Sequence, residues 1–273
     1  MSFPPQVPHF AMPPLPELRG ASVFGQKICY YDVGDGPALV LLHGIGGDAD
    51  DWAFCLHPLS KLHRVVALDL LGFGRSDKPH IDYSIAGFVE VLLRFLPAVG
   101  IEHASLVGDS MGGWIAASFA LQFPAAVDKL VLVDAAGLWG NTGALPVDLR
   151  VSTRQHMREV FELLFYNKRL ASDILIDLAY RQHLERGDGY TIHNLLQNLA
   201  GGHERLNESI AGLKIPTLIL WGEQDAMIPV ETAWNFQRLI AGSRLEIIPE
   251  CGHLPALEKP AELVRHVLDF LGR

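Results

Sequence analysis

The sequence predicts an α/β fold, in which a mostly parallel sheet carries helices on both faces and a helical segment is inserted late in the chain. Three observations predict it. Short, continuous apolar runs alternate with longer amphipathic stretches. Those runs end in clusters rich in Gly, Pro and Asp. The alternation breaks off near residue 138 and resumes at Pro216. Apolar runs without a polar side suit strands covered on both faces, and their spacing leaves room for one crossover helix between each pair.

The elements follow in chain order. Lys27–Val33 alternates loosely and stops at the turn cluster Gly34-Asp35-Gly36-Pro37. Ala38–Leu42 is a buried strand ending in His43-Gly44-Ile45-Gly46-Gly47. Asp48 to Asp51 supply cap and first-turn acids for a helix reaching about Leu62. Val65–Asp69 is the next strand, followed by a breaker-rich loop, Leu70 to Pro79. Ile85–Val99 reads as an amphipathic helix. A strand from Ala104 to Val107 and a helix from Trp114 to Phe123 flank Gly108-Asp109-Ser110-Met111-Gly112. Lys129–Asp134 is a further strand. Between about 138 and 213 the pattern offers helices only, at Val151–Phe165, Ser172–Leu184 and Thr191–Leu199. Pro216–Trp221 and Arg244–Ile248 restore the strands, with helices at Glu231–Ile240 and Glu258–Leu271. This divides the chain into a core, 1–137 and 214–273, and a helical cap insertion, 138–213. A proline-rich arm occupies residues 1–20.

Composition narrows the function. The 273 residues are 49% hydrophobic and 19% charged, enough for one large core. A formal charge of -9 lacks the basic footprint of a nucleic-acid binder. No apolar run approaches the roughly 18 residues of a membrane span, and the N-terminus lacks the layout of a signal peptide. Cys29, Cys55 and Cys251 are too few and scattered for a disulfide framework or zinc site. These features predict a cytoplasmic protein, monomer or homodimer, acting on a small molecule with neither metal nor organic cofactor.

In parallel sheets, ligands meet the loops at the carboxyl ends of the strands. Four informative loops fall there: His43–Gly47, the Gly-x-Ser-x-Gly turn at Ser110, the loop after Trp221 and the loop after Ile248. A serine hydroxyl is a poor nucleophile without a base in hydrogen-bond reach. Histidine can take and return its proton, and an acid must orient the imidazole. Ser110, Asp225 and His253 supply these types in that order, each just past a strand. Asp134 also ends a strand, but the surroundings of Asp225, Gly-Glu-x-Asp-x-x-Ile-Pro, put it ahead as the acid.

With these residues in view, the sequence resembles the α/β-hydrolase family over nearly all of the chain from Val23. His-Gly-x-Gly-Gly, Gly-x-Gly-x-Ser-Asp, Gly-x-Ser-Met-Gly-Gly and the late Gly-His carry the resemblance. It implies Ser110 as nucleophile, Asp225 as acid, His253 as base, and the Ile45 and Met111 N–H groups as oxyanion hole. Ser110 at the turn sets the chain apart from dehalogenases and epoxide hydrolases, which need a carboxylate there. Gly44, Trp139, Phe161 and Phe165 are the candidates for lining the substrate pocket, with Tyr166 beside them. The activity expected first is hydrolysis of small carboxylic esters through an acyl-serine. The alternative is carbon–carbon bond hydrolysis of meta-cleavage dienoic oxo-acids, to whose enzymes Cys251-Gly252-His253 is similar. Those enzymes place Asn and Trp where this chain has Asp109 and Leu254, and use a cap arginine, for which Arg181 is the candidate. A non-catalytic small-ligand receptor on this fold ranks last.

Overall fold

A computed structural model describes residues 12–138, 146–200, 202 and 204–272. Eight strands form one sheet: β1 (Arg19–Val23), β2 (Gln26–Val33), β3 (Ala38–Leu42), β4 (Arg64–Leu68), β5 (Ala104–Asp109), β6 (Val127–Val133), β7 (Thr217–Gly222) and β8 (Arg244–Ile248). Their order is β1-β2-β4-β3-β5-β6-β7-β8. The hairpin β1–β2 and the β2–β4 pair are antiparallel, and every other pair is parallel. The sequence reading assigned no strand over Arg19–Val23, and only the first two residues of β1 fall in the proline-rich arm. β1 is an edge strand with exposed residues and no long apolar run, so only its pairing with β2 reveals it.

Side chains alternate across the sheet with the period of two that a pleated strand imposes. On β3, Val40 and Leu42 face one core while Leu39 and Leu41 face the other. The first core is completed by α2 (Ile85–Ala98), α3 (Met111–Gln122) and α7 (Glu231–Leu239). The second is completed by α1 (Ala53–Ser60) and α9 (Pro260–Leu271). One expected helix is divided: Asp48–Leu62 begins as a 3-10 turn, Ala49–Trp52, before α1, with Asp48 in a capping box. The closing helix, expected at Glu258–Leu271, starts at Pro260 as α9, and a short helix not expected from the sequence, α8 (Pro255–Glu258), precedes it.

Between β6 and β7 the described residues form α4 (Arg154–Leu164), α5 (Asp173–Arg186) and α6 (Gly189–Ala200), with no strand among them. Met157, Ala171 and Ile176 make a small core of their own, while Ile192 and Leu195 of α6 join the first core. Polar bonds stitch this segment to the sheet domain. The Glu204 carboxylate accepts from the Ile85 and Ala86 N–H groups at the start of α2, at 3.0 and 2.7 Å. Asn194 accepts from the Tyr83 N–H at 2.7 Å.

Candidate active site

The turn between β5 and α3 holds Ser110 at φ 52°, ψ -116°. Left-handed backbone is rare for a residue with a Cβ, and the surroundings fix it here. Ser110 N–H donates to the Val133 carbonyl at 2.9 Å, and its own carbonyl accepts from Gly113, Trp114 and Ala136. The turn also needs close backbone approach. A Cβ at Gly112 would stand 2.2 Å from the Leu42 carbonyl oxygen, so only glycine fits.

Asp225 and His253 come from the loops after β7 and β8, which are tied to each other. Gln224 N–H donates to the Cys251 carbonyl at 2.9 Å, and the Gln224 side chain accepts from Cys251 N–H at 3.1 Å. Gly222 lets the loops touch, since a Cβ there would lie 2.0 Å from the Gly252 carbonyl oxygen. His253 N–H donates to the Leu164 carbonyl at 2.7 Å, so the end of α4 helps hold the histidine loop.

Within this frame His253 Nδ1 lies 2.7 Å from Asp225 Oδ2. A carboxylate only accepts, so Nδ1 carries the hydrogen and Nε2 is left as the basic nitrogen. Asp225 Oδ1 accepts from the Met227 and Ile228 N–H groups, both at 2.8 Å. Burial opposes a charge on His253, but the Asp225 carboxylate outweighs it and raises the imidazole above its ordinary value. Asp134, the competing acid, is fully buried and accepts instead from Gly222 N–H at 2.8 Å.

Ser110 and His253 line one cavity of about 1090 Å3, together with Gly44, Ile45, Met111, Phe161 and Phe165. Trp139 lies outside the described residues. Tyr166 is exposed and not part of the lining. Gly44 sits against the serine turn, its missing Cβ 3.1 Å from that of Ser110. The Gly44–Gly47 turn is closed by Gly47 N–H on the Gly44 carbonyl at 3.2 Å, which leaves Ile45 at its corner. Met111 opens α3, where the first N–H has no helical acceptor. His43 braces this loop: it contacts the Gly44 carbonyl at 2.7 Å through Nδ1 and accepts from Leu70 N–H at 2.9 Å through Nε2. Burial drives its pKa down to about 4, so it stays neutral and does not titrate near neutral pH.

Sequence reasoning missed part of the wall. Arg150 and Arg186, not Arg181, are the arginines between β6 and β7 that line the cavity; Arg181 is exposed on α5. Arg186 pairs with Asp48 and donates to the Gly46 carbonyl at 3.4 Å, tying the end of α5 to the glycine loop. Its place just before Gly187, the left-handed cap of α5, was the available signal. Asp48, Asp51 and Asp109 also line the cavity. Burial pushes Asp109 up to about 7 and Asp48 up to about 6, and Asp51 is likewise raised by burial. Cys251 is fully buried, and burial raises its thiol far above the ordinary range, so it packs as a small apolar group.

The alpha/beta hydrolase family model matches residues 39–266, and the chain belongs to that family. The chain is 32% identical over 260 residues to a 2-hydroxy-6-oxo-2,4-heptadienoate hydrolase of Pseudomonas putida, covering 88% of this chain and 91% of that protein. Among solved structures, a bacterial membrane phospholipase A superimposes with TM-score 0.84 at 29% identity, over 93% of this chain and 85% of its own. A meta-cleavage product hydrolase from Pseudomonas fluorescens superimposes equally, with TM-score 0.84 at 27% identity, over 93% and 97%. Among the described residues no helix is long and apolar enough to cross a membrane.

Proposed function

We propose that this hydrolase breaks a bond to a carbonyl carbon through Ser110. The observation that carries the reading is the buried His253–Asp225 pair opening onto the same cavity as the strained serine. The Ser110 hydroxyl gives its proton to His253 Nε2 as Oγ bonds to the carbonyl carbon. The resulting oxyanion lies between the Ile45 and Met111 N–H groups, donors commonly worth about 3 kcal/mol each. Collapse expels the leaving group, which takes the proton back from Nε2. Water then repeats the cycle on the acyl-serine.

Two kinds of bond fit this chemistry. The relatives favour the carbon–carbon bond of a dienoic oxo-acid over an ester, because curated relatives over most of the chain carry that activity. Arg150 and Arg186 support the same reading: both line the cavity, paired with Asp148 and Asp48, and a substrate carboxylate entering there would compete with those aspartates for them. Ester hydrolysis is the second reading. It is favoured by Asp109 and Leu254 in place of Asn and Trp, and by carboxyl groups along the wall that disfavour an anion. In both readings α4 to α6 roof the cavity and set which substrate fits.

Turnover of 2-hydroxy-6-oxo-2,4-heptadienoate beside a p-nitrophenyl ester series, acetate to decanoate, tests the proposal. Rapid dienoate decay with weak ester activity is the expected result, and the reverse order moves the chain to the esterases. Ser110→Ala should lower either activity by at least about a thousandfold. Stoichiometric binding with no turnover of either substrate would replace the hydrolase reading with that of a receptor.

A further inference from the structure

Asp134 has no part in the chemistry above, yet it is placed with care. It follows β6 at φ 42°, a positive φ that is uncommon for residues other than glycine. The side chain is sealed from solvent. Oδ1 accepts from Gly222 N–H at 2.8 Å, while Oδ2 is buried and receives no hydrogen bond from any described group. A carboxyl oxygen of Asp134, one of Asp225 and a ring nitrogen of His253 all lie within 4.8 Å of one another. Asp225 already takes three donors: Met227 N–H, Ile228 N–H and His253 Nδ1. Two carboxylates beside one imidazole in a dry space cannot both stay charged. Burial, followed by the charges of Asp225 and Asp109, raises the Asp134 carboxyl well above the carboxylate range. The Cys251 thiol also feels Asp134 and offers no positive charge to offset it.

We propose that Asp134 is a positioning residue: a neutral carboxylic acid whose Oδ2–H donates to the Asp225 carboxylate and orients it toward His253. This gives the orphaned oxygen a role that a bare carboxylate could not fill. The donated bond draws charge from Asp225 and moderates its hold on the imidazole, so His253 accepts a proton without trapping it. The inference rests on the reading of Asp225 and His253 as acid and base, but its test does not depend on turnover.

The His253 ring is titrated by NMR in the full-length wild type, Asp134→Asn and Asp134→Ala, and protonated carboxyl bands are followed by infrared difference spectroscopy. The asparagine amide can accept from Gly222 and donate to Asp225, as the acid does. Its His253 midpoint should stay within roughly 0.3 units of wild type, whereas the alanine variant, lacking the donor, should rise by roughly half a unit or more. At neutral pH the wild type should show a protonated carboxyl band that Asp134→Asn lacks. A fall of about a unit in Asp134→Asn, as loss of a negative charge would give, overturns the proposal. An unchanged carboxyl band in Asp134→Asn overturns it too, as do equal midpoints in the two variants. If Asp134→Ala fails to fold, the asparagine variant and the carboxyl band still decide. With an active substrate, the acidic limb of kcat/KM should follow the His253 midpoint.

Discussion

Two helices that border the same cavity are built in opposite ways. On α3, which begins at the serine turn, every residue from Met111 to Ala120 is buried. On α5, which ends at Arg186, the buried residue is Ile176 alone. The first helix is wedged between sheet and α2 and cannot shift without moving Ser110. The second touches the rest of the protein through a thin apolar seam and a few polar links, such as Arg186 to the glycine loop. The difference is one of anchoring: the sheet domain holds the Ser110 turn firmly, and the helices between β6 and β7 are held loosely around the cavity.

The same deletion in each region should expose this difference. Phe236 on α7 is fully buried and packs at a tilt against Trp221, whose indole N–H donates to the Ile228 carbonyl, three residues past Asp225. Phe236→Ala should lower the free energy of unfolding by about 3–5 kcal/mol, read from denaturant titration. A loss below about 1 kcal/mol would show that the core around β7 and α7 is not packed as rigidly as the sheet beneath α3.

The regions also answer to pH with opposite signs. In the sheet domain, burial pushes the Asp109 carboxyl up to about 7, with the positive charge of His253 easing the rise and Asp225 adding to it. Between its unfolded value near 4 and about 7, the folded state therefore holds a proton that the unfolded chain has lost. Stability from this group is complete below the unfolded pKa and is lost as pH rises through the folded one. Asp48 and Asp134, also raised by burial, act in the same direction. On the insertion, Arg154 and Arg158 lower the exposed Asp173, so its small contribution is lost on acidification instead. The free energy of unfolding should fall between about pH 4 and 7, and Asp109→Asn should remove a part of that fall on the order of a few kcal/mol. An identical fall in the variant would mean that Asp109 is not the buried acid its surroundings make it.

How far the sequence revealed all this follows the same divide. Buried strands such as Ala38–Leu42 and the loops at their ends are written as apolar runs and glycine clusters, because both faces and the turn must be satisfied locally. That Ser110, Asp225 and His253 come together on loops at one edge of the sheet was legible for that reason. The edge strand Arg19–Val23 was not, since pairing on one side leaves most of its residues free to be polar. Arg186 was missed in favour of Arg181 because both lie on a helix with little burial to mark its inner face. Asp51 read as a first-turn acid of a helix and Asp109 only as a departure beside the serine, until the fold enclosed both.

Phe161 gives the sharpest test from the soft side. It lies on α4, partly exposed, edge-on to Phe165 at 5.5 Å between centroids, and it faces the cavity. Its neighbours in the small core, Met157 and Ile176, keep their own contacts when the ring is removed. Phe161→Ala should therefore cost less than about 1 kcal/mol of stability, well under the same deletion at Phe236. Its effect should fall on substrate: KM should rise roughly tenfold for the preferred substrate, since a ring against an apolar substrate is worth about 1–3 kcal/mol. Because the groups around Ser110 are held by other elements, kcat should change little. A large loss in kcat with unchanged KM would mean that α4, which takes the His253 N–H on its Leu164 carbonyl, positions the histidine as firmly as the sheet does. The boundary between the rigid and adjustable regions would then run through α4 rather than beneath it.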